Sequence, residues 1–417
     1  MRTRTEIEQR LLAQCGSGRW GPAAVLPDYE GYSIVGLPSL IGRLFDLDGR
    51  DTALAELVPD LSGHDHVILL LLDGLGYRKV EALFDRMPDL LIRSFGRDGL
   101  FLPLTSVFPS TTVAALASIG TGMTPLEHGL VGYRLYLRET STITNMIRFA
   151  MVGNGRTDAA FSAGLDPDAV VRGPTAQERL AGHGVNVHTL LPQHIASSGL
   201  SRALYKGSAQ LHAAVGLSDM LVIARELLLR ATAPTFLSLY WPGLDTVAHV
   251  RGPETDAYVA ELRSIDDAIR RELVGQAGNT LLLLSADHGF VPMAANDYQH
   301  VHDIPPIDQA LLLPPVGEPR ASYLFVRDGE RETVSAALTH HLRDGLVCAD
   351  SPALVEDGLL GYGPPHPETH RRIGDLTVVS TGKAGIVHPY QDAVRLLGMH
   401  GGLTEEEMLV PLIATSL

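Results

Sequence analysis

Val67-Ile-Leu-Leu-Leu-Leu-Asp73-Gly-Leu-Gly76 is the stretch that decides the fold, because six apolar residues run directly into an acid and two glycines. A continuous apolar run of this length, closed by a turn, is typical of a strand buried on both faces of a parallel sheet. Asp73 then follows the carboxyl end of that strand, where open α/β sheets bind their ligands. The stretch therefore predicts a mostly parallel sheet with a site at this edge.

Two later stretches repeat the pattern. Leu281-Leu-Leu-Leu-Ser-Ala-Asp287-His288-Gly289 is another apolar run that ends in an acid, an imidazole and a glycine. The run 234–241 also predicts a strand, and it leads into Asp245 and His249. Strands that deliver carboxylates to one edge of a sheet suggest a metal site there.

Charge and cysteine content limit the class of protein. The 417 residues carry a formal net charge of −15, which argues against binding a nucleic-acid polymer or an anionic membrane surface. A small anionic substrate remains compatible, because bound metal ions reverse the local charge. The cysteines are Cys15 and Cys348, far apart and without a C-x-x-C motif, which fits a reducing compartment. With a charged N-terminus and no long apolar span, we expect a cytoplasmic protein.

The character of the chain changes along its length and predicts a division into domains. Residues 1–295 and 396–417 are expected to form the core, with lid loops and helices over the sheet in 135–230. Residues 296–395 are rich in proline and short elements, and they predict a smaller α/β cap inserted before the last core strand. The oligomeric state stays open.

A run of hydroxyl residues precedes the small-residue helix predicted before Gly122. Ser110 or Thr111 is expected to be its N-cap, and a hydroxyl in the first turn faces free N–H groups and the positive end of the helix dipole. Such a position suits a phosphate or a developing oxyanion. The alternative is that these hydroxyls only cap the helix.

Acids and imidazoles recur at the predicted strand ends and in glycine-flanked loops. Each alone would be read as a turn residue or a satisfied polar group, but together they make a mixed oxygen and nitrogen set suited to zinc, manganese or iron. The set comprises Asp73, Asp245, His249, Asp287, His288 and His400.

The order of these motifs resembles the alkaline phosphatase superfamily and, within it, the type I phosphodiesterase/nucleotide pyrophosphatase family. The resemblance implies a mostly parallel sheet sandwiched by helices, with an inserted smaller α/β cap. The motifs that carry it are Leu-Leu-Asp73-Gly, Pro-Ser-Thr-Thr112 with Thr121-Gly122 and His128-Gly129, Asp245-x-x-x-His249-x-x-Gly-Pro253, Asp287-His288-Gly289 and His400-Gly.

The resemblance also implies roles for individual residues. Two divalent ions, zinc or manganese, would be held by two sets of ligands, with Thr112 as the nucleophile and a further contact of the second ion. Thr112 is preferred over Thr111 because the family nucleophile lies nine residues before the threonine of the Thr-Gly pair. The implied sets are Asp245, His249 and His400 for one ion, and Asp73, Asp287 and His288 for the other.

Substrate contacts follow less directly. Many nucleotide pyrophosphatases place an asparagine soon after the His-Gly pair, where this chain has Tyr133, and Asn145 is a second candidate donor. The expected function is a two-metal phosphodiesterase for a nucleotide-like diester, and the resemblance to bacterial intracellular members adds a cyclic dinucleotide as a candidate.

Three alternatives remain. A phosphomonoesterase or phosphonate hydrolase would require an extra cation, such as Arg134 or Arg148, near the phosphoryl oxygens. A mutase on the same fold would require a second substrate that accepts the phosphate. A metal-stabilised binding protein without activity would cleave no phosphoester.

Overall fold

The strand that contains the opening stretch lies at the centre of a seven-stranded sheet. The computed structural model describes residues 2–13, 18–390 and 395–417, so Cys15 lies outside the described residues. In chain order the strands are β1 His66–Leu72, β2 Leu100–Thr105, β3 Arg134–Leu137, β4 Thr142–Asn145, β5 Ala150–Met151, β6 Asn186–Pro192, β7 Gln210–Ala214, β8 Thr235–Trp241, β9 Thr280–Ser285, β10 Val291–Pro292, β11 Tyr298–His300, β12 Val316–Glu318, β13 Ala321–Leu324, β14 Leu346–Asp350, β15 Leu376–Ser380, β16 Gly385–Val387, β17 Gly398–Met399 and β18 Leu409–Ser416.

Helices cover the sheet and fill the connections between strands. They are α1 Arg4–Ala13, α2 Leu37–Leu44, α3 Val58–Leu61, α4 Tyr77–Arg86, α5 Leu91–Asp98, α6 Thr112–Thr121, α7 Pro125–His128, α8 Ala159–Ser162, α9 Pro167–Val170, α10 Ala176–Gly182, α11 Gln193–Ala196, α12 Gly199–Leu204, α13 Leu217–Arg230, α14 Gly243–Arg251, α15 Asp256–Glu272, α16 Pro305–Asp308, α17 Arg331–His341, α18 Ala353–Glu356, α19 Thr369–Arg372 and α20 Glu405–Met408. None of the described helices is long and apolar enough to cross a membrane.

The central sheet has the strand order β2-β18-β9-β1-β8-β6-β7. Five strands, β1 and β6 to β9, run parallel, and β18 is antiparallel to its neighbours β2 and β9. Residues 67–72 of β1 are all buried, as expected for a strand covered on both faces. The predicted α/β class with a mostly parallel sheet is therefore confirmed.

The topology brings the predicted site to one edge. Neighbouring parallel strands β9, β1 and β8 end at the same edge, so the segments that carry Asp287, Asp73 and Asp245 leave the sheet side by side. β2 also ends at this edge, next to the start of β18, because Thr105 pairs with Leu409. The segment that leads into β18 and the segment that leaves β2 are therefore neighbours at this edge of the sheet.

A second seven-stranded sheet is antiparallel at every described pairing and has the order β14-β15-β13-β12-β3-β4-β5. Its strands β12 to β15 come from the segment predicted to form the cap, but β3 to β5 come from residues 134–151. The segment 135–230 also contributes β6 and β7 to the central sheet. The prediction of lid loops and helices there was incomplete, because β6 and β7 lie towards the sheet edge and lack long apolar runs. The domain boundaries themselves stay a prediction.

Candidate metal centre

Three carboxylates meet at the carboxyl edge of the central sheet. Asp73 directly follows β1, Asp287 follows β9 after one residue, and Asp245 lies in the first turn of α14. Each has one buried oxygen without a hydrogen-bond partner among the described residues, namely Asp73 Oδ1, Asp245 Oδ1 and Asp287 Oδ2. Buried carboxylate oxygens that lack donors are costly unless a cation compensates them. This donor set therefore fits bound metal ions.

Three imidazoles point their Nε2 atoms at these oxygens. His288 Nε2 lies 3.5 Å from Asp73 Oδ1 and 3.4 Å from Asp287 Oδ2. Asp245 Oδ1 lies 3.3 Å from His249 Nε2 and 3.9 Å from His400 Nε2. The structure therefore brings together all six residues that were predicted as ligands.

The other ring nitrogen of each histidine is held by the backbone. His249 Nδ1 is 2.8 Å from the Gly398 carbonyl, His400 Nδ1 is 2.9 Å from that of Ser110, and His288 Nδ1 is 3.1 Å from that of Gly289. A carbonyl only accepts, so each Nδ1 carries the proton and donates. In the neutral form of each ring, Nε2 then has a lone pair that faces the carboxylates, which is the arrangement of metal-ligating histidines.

The ligand atoms fall into two overlapping groups. One contains Asp73, Asp287 and His288, and the other contains Asp245, His288 and His400. His288 belongs to both because its ring stacks on that of His400, with centroids 3.6 Å apart. His288 therefore lies between the two sets of candidate ligands, with His249 beside Asp245.

The pKa shifts differ across the group: Asp245 and His249 compensate each other, since each shifts the pKa of its partner towards the charged form, whereas Asp73 and His400 are shifted towards their neutral forms. Burial, together with the charges of Asp245 and Asp287, holds the pKa of Asp73 well above its ordinary value. Burial and the neighbouring imidazoles hold the pKa of His400 well below its ordinary value. A neutral imidazole is the form that binds a metal, and positive charge from an ion would favour the ionised carboxylate.

Thr112 opens helix α6 beside this centre. Its Oγ1 lies 3.1 Å from His288 Nε2 and donates to it, because that nitrogen carries no proton. Thr111 is the N-cap residue, as predicted for Ser110 or Thr111, but neither side chain makes the expected cap. The Thr111 hydroxyl donates to Glu318 Oε1 at 2.6 Å, and that of Ser110 donates to the Gly402 carbonyl at 2.9 Å.

Two functional groups escaped the sequence analysis. The Tyr240 hydroxyl donates to Asp73 Oδ2 and so fixes the carboxylate whose other oxygen faces the site. Glu318 is buried, accepts from Thr111 and from the Tyr133 backbone N–H at 2.9 Å, and burial raises its pKa to about 7. The sequence offered one indication for Tyr240, since its hydroxyl-bearing side chain lies near the end of the apolar strand β8, close to the predicted site. Glu318 had none, because its partners lie about 190 residues away in the chain.

The predicted substrate contacts, Tyr133 and Asn145, lie close together, because Asn145 pairs with Arg134 across β3 and β4. The contacts described for their side chains are with residues other than the candidate metal ligands. Asn145 Oδ1 accepts the backbone N–H groups of Ile147 and Arg148, both at 3.1 Å. The Tyr133 ring lies under the guanidinium of Arg134 at 4.9 Å. Their roles as phosphate donors stay a prediction.

A cavity of about 200 Å³ adjoins the centre. Asp73, Thr112 and Asp245 line one part of it, and mostly apolar side chains of 191–205, with Leu116 and Ile147, line the rest. The lining also includes polar side chains, namely His194, Ser198, Ser201, Tyr205, Tyr240 and Thr246. The centre therefore opens onto a space that suits the organic part of a substrate.

Comparison with known proteins identifies the class. A family model described as type I phosphodiesterase/nucleotide pyrophosphatase matches residues 67–403. No curated protein matches the sequence.

Solved structures show the same fold at low identity. Murine ectonucleotide pyrophosphatase/phosphodiesterase 5 is 15% identical, with a TM-score of 0.60 over 83% of this chain and 87% of that chain. An inactive form of the murine protein, solved in complex with AMP, is 14% identical over the same shares, with a TM-score of 0.59. Phosphonoacetate hydrolase from Sinorhizobium meliloti 1021, in complex with phosphonoformate, is 20% identical, with a TM-score of 0.61 over 83% of this chain and 89% of that chain.

Fold and site together define a phosphoric ester hydrolase of the alkaline phosphatase superfamily, whose members depend on two metal ions. Within that class, the chain belongs to the type I phosphodiesterase/nucleotide pyrophosphatase family, since the family model spans well over half of it.

Proposed function

We propose that this protein is a two-metal phosphodiesterase that hydrolyses a nucleotide-like phosphodiester or pyrophosphate through a covalent Thr112 intermediate. The observation that carries the proposal is the convergence of three buried, unpaired carboxylate oxygens around His288, whose Nε2 accepts the Thr112 hydroxyl. The proposed ligands are Asp73, Asp287, His288 and Thr112 for one ion, and Asp245, His249 and His400 for the other. Zinc or manganese suits these oxygen and nitrogen donors.

The chain's own residues account for the positioning of the reaction. Bound divalent ions would supply an accessible alkoxide and neutralise charge on the phosphoryl group, as in other two-metal sites. Thr112 Oγ1 would attack phosphorus, and the bond from phosphorus to the leaving oxygen would break. Water would then attack the phosphorus of the nucleotidyl-threonine and break its bond to Oγ1, which would release the phosphate monoester and return a proton from water to the Thr112 oxygen. Thr112 is the first residue of α6, and the N–H groups of a helix's first turn, which have no acceptor within the helix, suit a phosphate.

Thr112 is supported over Thr111 by their hydrogen bonds. The Thr111 hydroxyl is committed to the buried carboxylate Glu318, whereas Thr112 points to the metal ligands and lines the cavity. A nucleophile must lie where both the ions and the substrate reach it, and Thr112 meets that condition.

A diester with an organic leaving group is supported by the apolar cavity and by the AMP bound in the inactive murine relative. Of the two cations that monoester cleavage was expected to need, neither has a hydrogen bond to a candidate metal ligand among the described residues, although the charge of Arg134 acts on the buried Glu318. Arg148 is exposed and contacts Thr157 Oγ1 at 3.3 Å, and Arg134 stacks on Tyr133 and Tyr390. A nucleotide, including a cyclic dinucleotide, is the substrate class we propose, and the cytoplasm is the proposed compartment.

The experiment compares metal-loaded protein on bis-p-nitrophenyl phosphate and p-nitrophenyl phosphate, followed by a panel of nucleotides and cyclic dinucleotides. We expect the diester to be cleaved much faster than the monoester. A clear preference for the monoester, or for phosphonoacetate, would favour the hydrolase of the Sinorhizobium neighbour instead. No turnover on any ester would leave a metal-stabilised binding protein.

A further inference from the structure

A second cluster of histidines lies outside the catalytic edge, on the segment between β11 and α16. His300 closes β11, and His302 and Asp303 belong to the short 3₁₀ turn that follows it. One ligand atom from each of these three residues lies within 4.8 Å of the other two. The cluster shares no residue with the catalytic centre.

Strand pairing explains why a fourth residue joins the cluster. β11 and β16 pair in parallel, with His300 opposite Val387, so His388 leaves β16 at the same end at which His302 leaves β11. The ring of His302 lies 5.4 Å from that of His300 and 5.9 Å from that of His388. Three imidazoles from two chain segments therefore converge. The reason is the same as for the carboxylates of the central sheet, since parallel strands end at a common edge.

A buried residue holds the segment that carries the cluster. Val301, between the two histidines, is buried in a hydrophobic cluster that also contains Ile307 and Ile386. This buried residue fixes the turn, so the flanking imidazoles are held on the outer side. His302 Nδ1 is itself buried and has no hydrogen-bond partner among the described residues, while His302 Nε2 lies 3.2 Å from Asp303 Oδ1.

We propose that His300, His302 and Asp303 bind a third divalent transition-metal ion, with His388 as the neighbouring imidazole that completes its coordination. Imidazoles with one carboxylate suit zinc, nickel or copper, whereas magnesium and calcium require mainly oxygen ligands. Zinc is bound at about 2.0–2.2 Å from such atoms, so small side-chain rotations bring the three donors onto one ion.

Such an ion would be structural. It would join the end of β11 to the end of β16, two segments about 90 residues apart in the chain, and would stabilise the folded state because the unfolded chain lacks the preformed site. The protein would then bind three ions per chain, one more than the two of the proposed catalytic centre. The inference rests on the proposed function only for the expected number of two catalytic ions.

The test counts zinc on the metal-stripped, full-length protein by competition with a chromogenic chelator. The variant His300→Ala/His302→Ala is compared with wild type and with His340→Ala/His341→Ala. The control pair is exposed on α17, and its rings are 4.7 Å apart, but no metal-ligand grouping includes it. We expect the first variant to bind one zinc equivalent fewer than both wild type and control, while turnover of bis-p-nitrophenyl phosphate at saturating metal changes little.

Equal zinc counts in all three proteins would overturn the proposal, whatever the activity. If circular dichroism shows that the double variant does not fold, His302→Gln replaces it, since Val301 keeps the turn in place, and the same loss of one equivalent is expected. Because the readout is a difference in stoichiometry, failure of the proposed function to appear in the turnover assay does not change its interpretation.

Discussion

The two halves of the proposed catalytic centre differ in the elements that carry their residues and in their exposure to solvent. The buried half consists of Asp73, Asp287 and His288, whose side chains are 0–2% exposed. The open half consists of Asp245, His249 and His400, whose side chains are 17%, 20% and 7% exposed. The buried half follows directly from the neighbouring strands β1 and β9, whereas the open half comes from α14 and the segment before β18.

This difference indicates how the proposed two-ion site divides its tasks. The half on the strand ends is buried from solvent, and it contacts the proposed nucleophile through His288. The open half faces the side from which water can enter. We therefore expect the buried half to bind its ion more tightly and to serve attack by Thr112, and the open half to exchange its ion and serve the water that completes hydrolysis.

The largest effect is expected for the nucleophile. Thr112→Ala should lower kcat for bis-p-nitrophenyl phosphate by several orders of magnitude, because the covalent route is removed. Its metal content should stay near that of wild type, since the other ligands remain. Turnover and metal analysis on the same sample measure both.

Thr111→Ala is the matched control, as it removes a hydroxyl one residue away that donates to Glu318 instead. If Thr111→Ala abolishes turnover while Thr112→Ala does not, the assignment of the nucleophile is wrong.

The next largest effect concerns the ligands of the two halves. Asp73→Ala and His400→Ala should each lower metal occupancy and activity together, because each removes a proposed ligand. The loss of affinity should be greater for Asp73→Ala, since water cannot readily replace a ligand in the buried half. Timed dialysis against a chelator should also release the wild-type ions in two phases. Unchanged metal counts in both variants would argue against their roles as ligands.

A smaller effect is expected from the group that orients Asp73. Tyr240→Phe removes the hydroxyl that donates to Asp73 Oδ2, and loss of such outer partners typically weakens metal binding by about 10–100-fold. Tyr258→Phe is the comparison, because that hydroxyl donates to the Gly74 carbonyl at 3.0 Å and not to a ligand. Equal zinc affinities for the two variants would show that the Tyr240 hydroxyl does not support metal binding by Asp73.

The smallest effect is one of stability in the metal-stripped protein. The folded pKa of Asp73 is raised above its ordinary value of 3.8, mainly by burial and then by Asp245 and Asp287, so its ionised form destabilises the fold. Asp73→Asn should therefore raise the free energy of unfolding at neutral pH. This gain should shrink as the pH falls through the raised folded pKa of Asp73, and it should be lost below 3.8, where the carboxyl is protonated in both the folded and the unfolded state.

Asp266→Asn provides the opposite case. Asp266 is also buried, but its oxygens accept the backbone N–H groups of Leu91 and Ile92, both at 2.9 Å. Its replacement should cost about 1–3 kcal/mol of stability, because hydrogen bonds to a charged group are lost. Urea unfolding of the stripped proteins distinguishes the two, and a loss of stability in Asp73→Asn would show that the unpaired oxygens are not a liability.

The sequence by itself determined the central strands and the positions of the site residues. Buried parallel strands are unbroken apolar runs, and a polar residue just after such a run can only lie at the sheet edge, so β1, β8 and β9 and their acids are readable locally. The metal-ligand and nucleophile roles of these residues stay proposals, but their convergence is a property of the fold.

Only the tertiary structure decided the partners of the side chains and the second sheet. The pairing of β3 with β12, the bond from Thr111 to Glu318 and the bond from Tyr240 to Asp73 each join segments more than 160 residues apart. Such contacts produce no periodic pattern in the sequence, because they depend on how segments far apart in the chain pack against each other. For the same reason the Thr111 hydroxyl, which local rules expect to accept from an N–H of the first turn, instead donates to the buried carboxylate of Glu318.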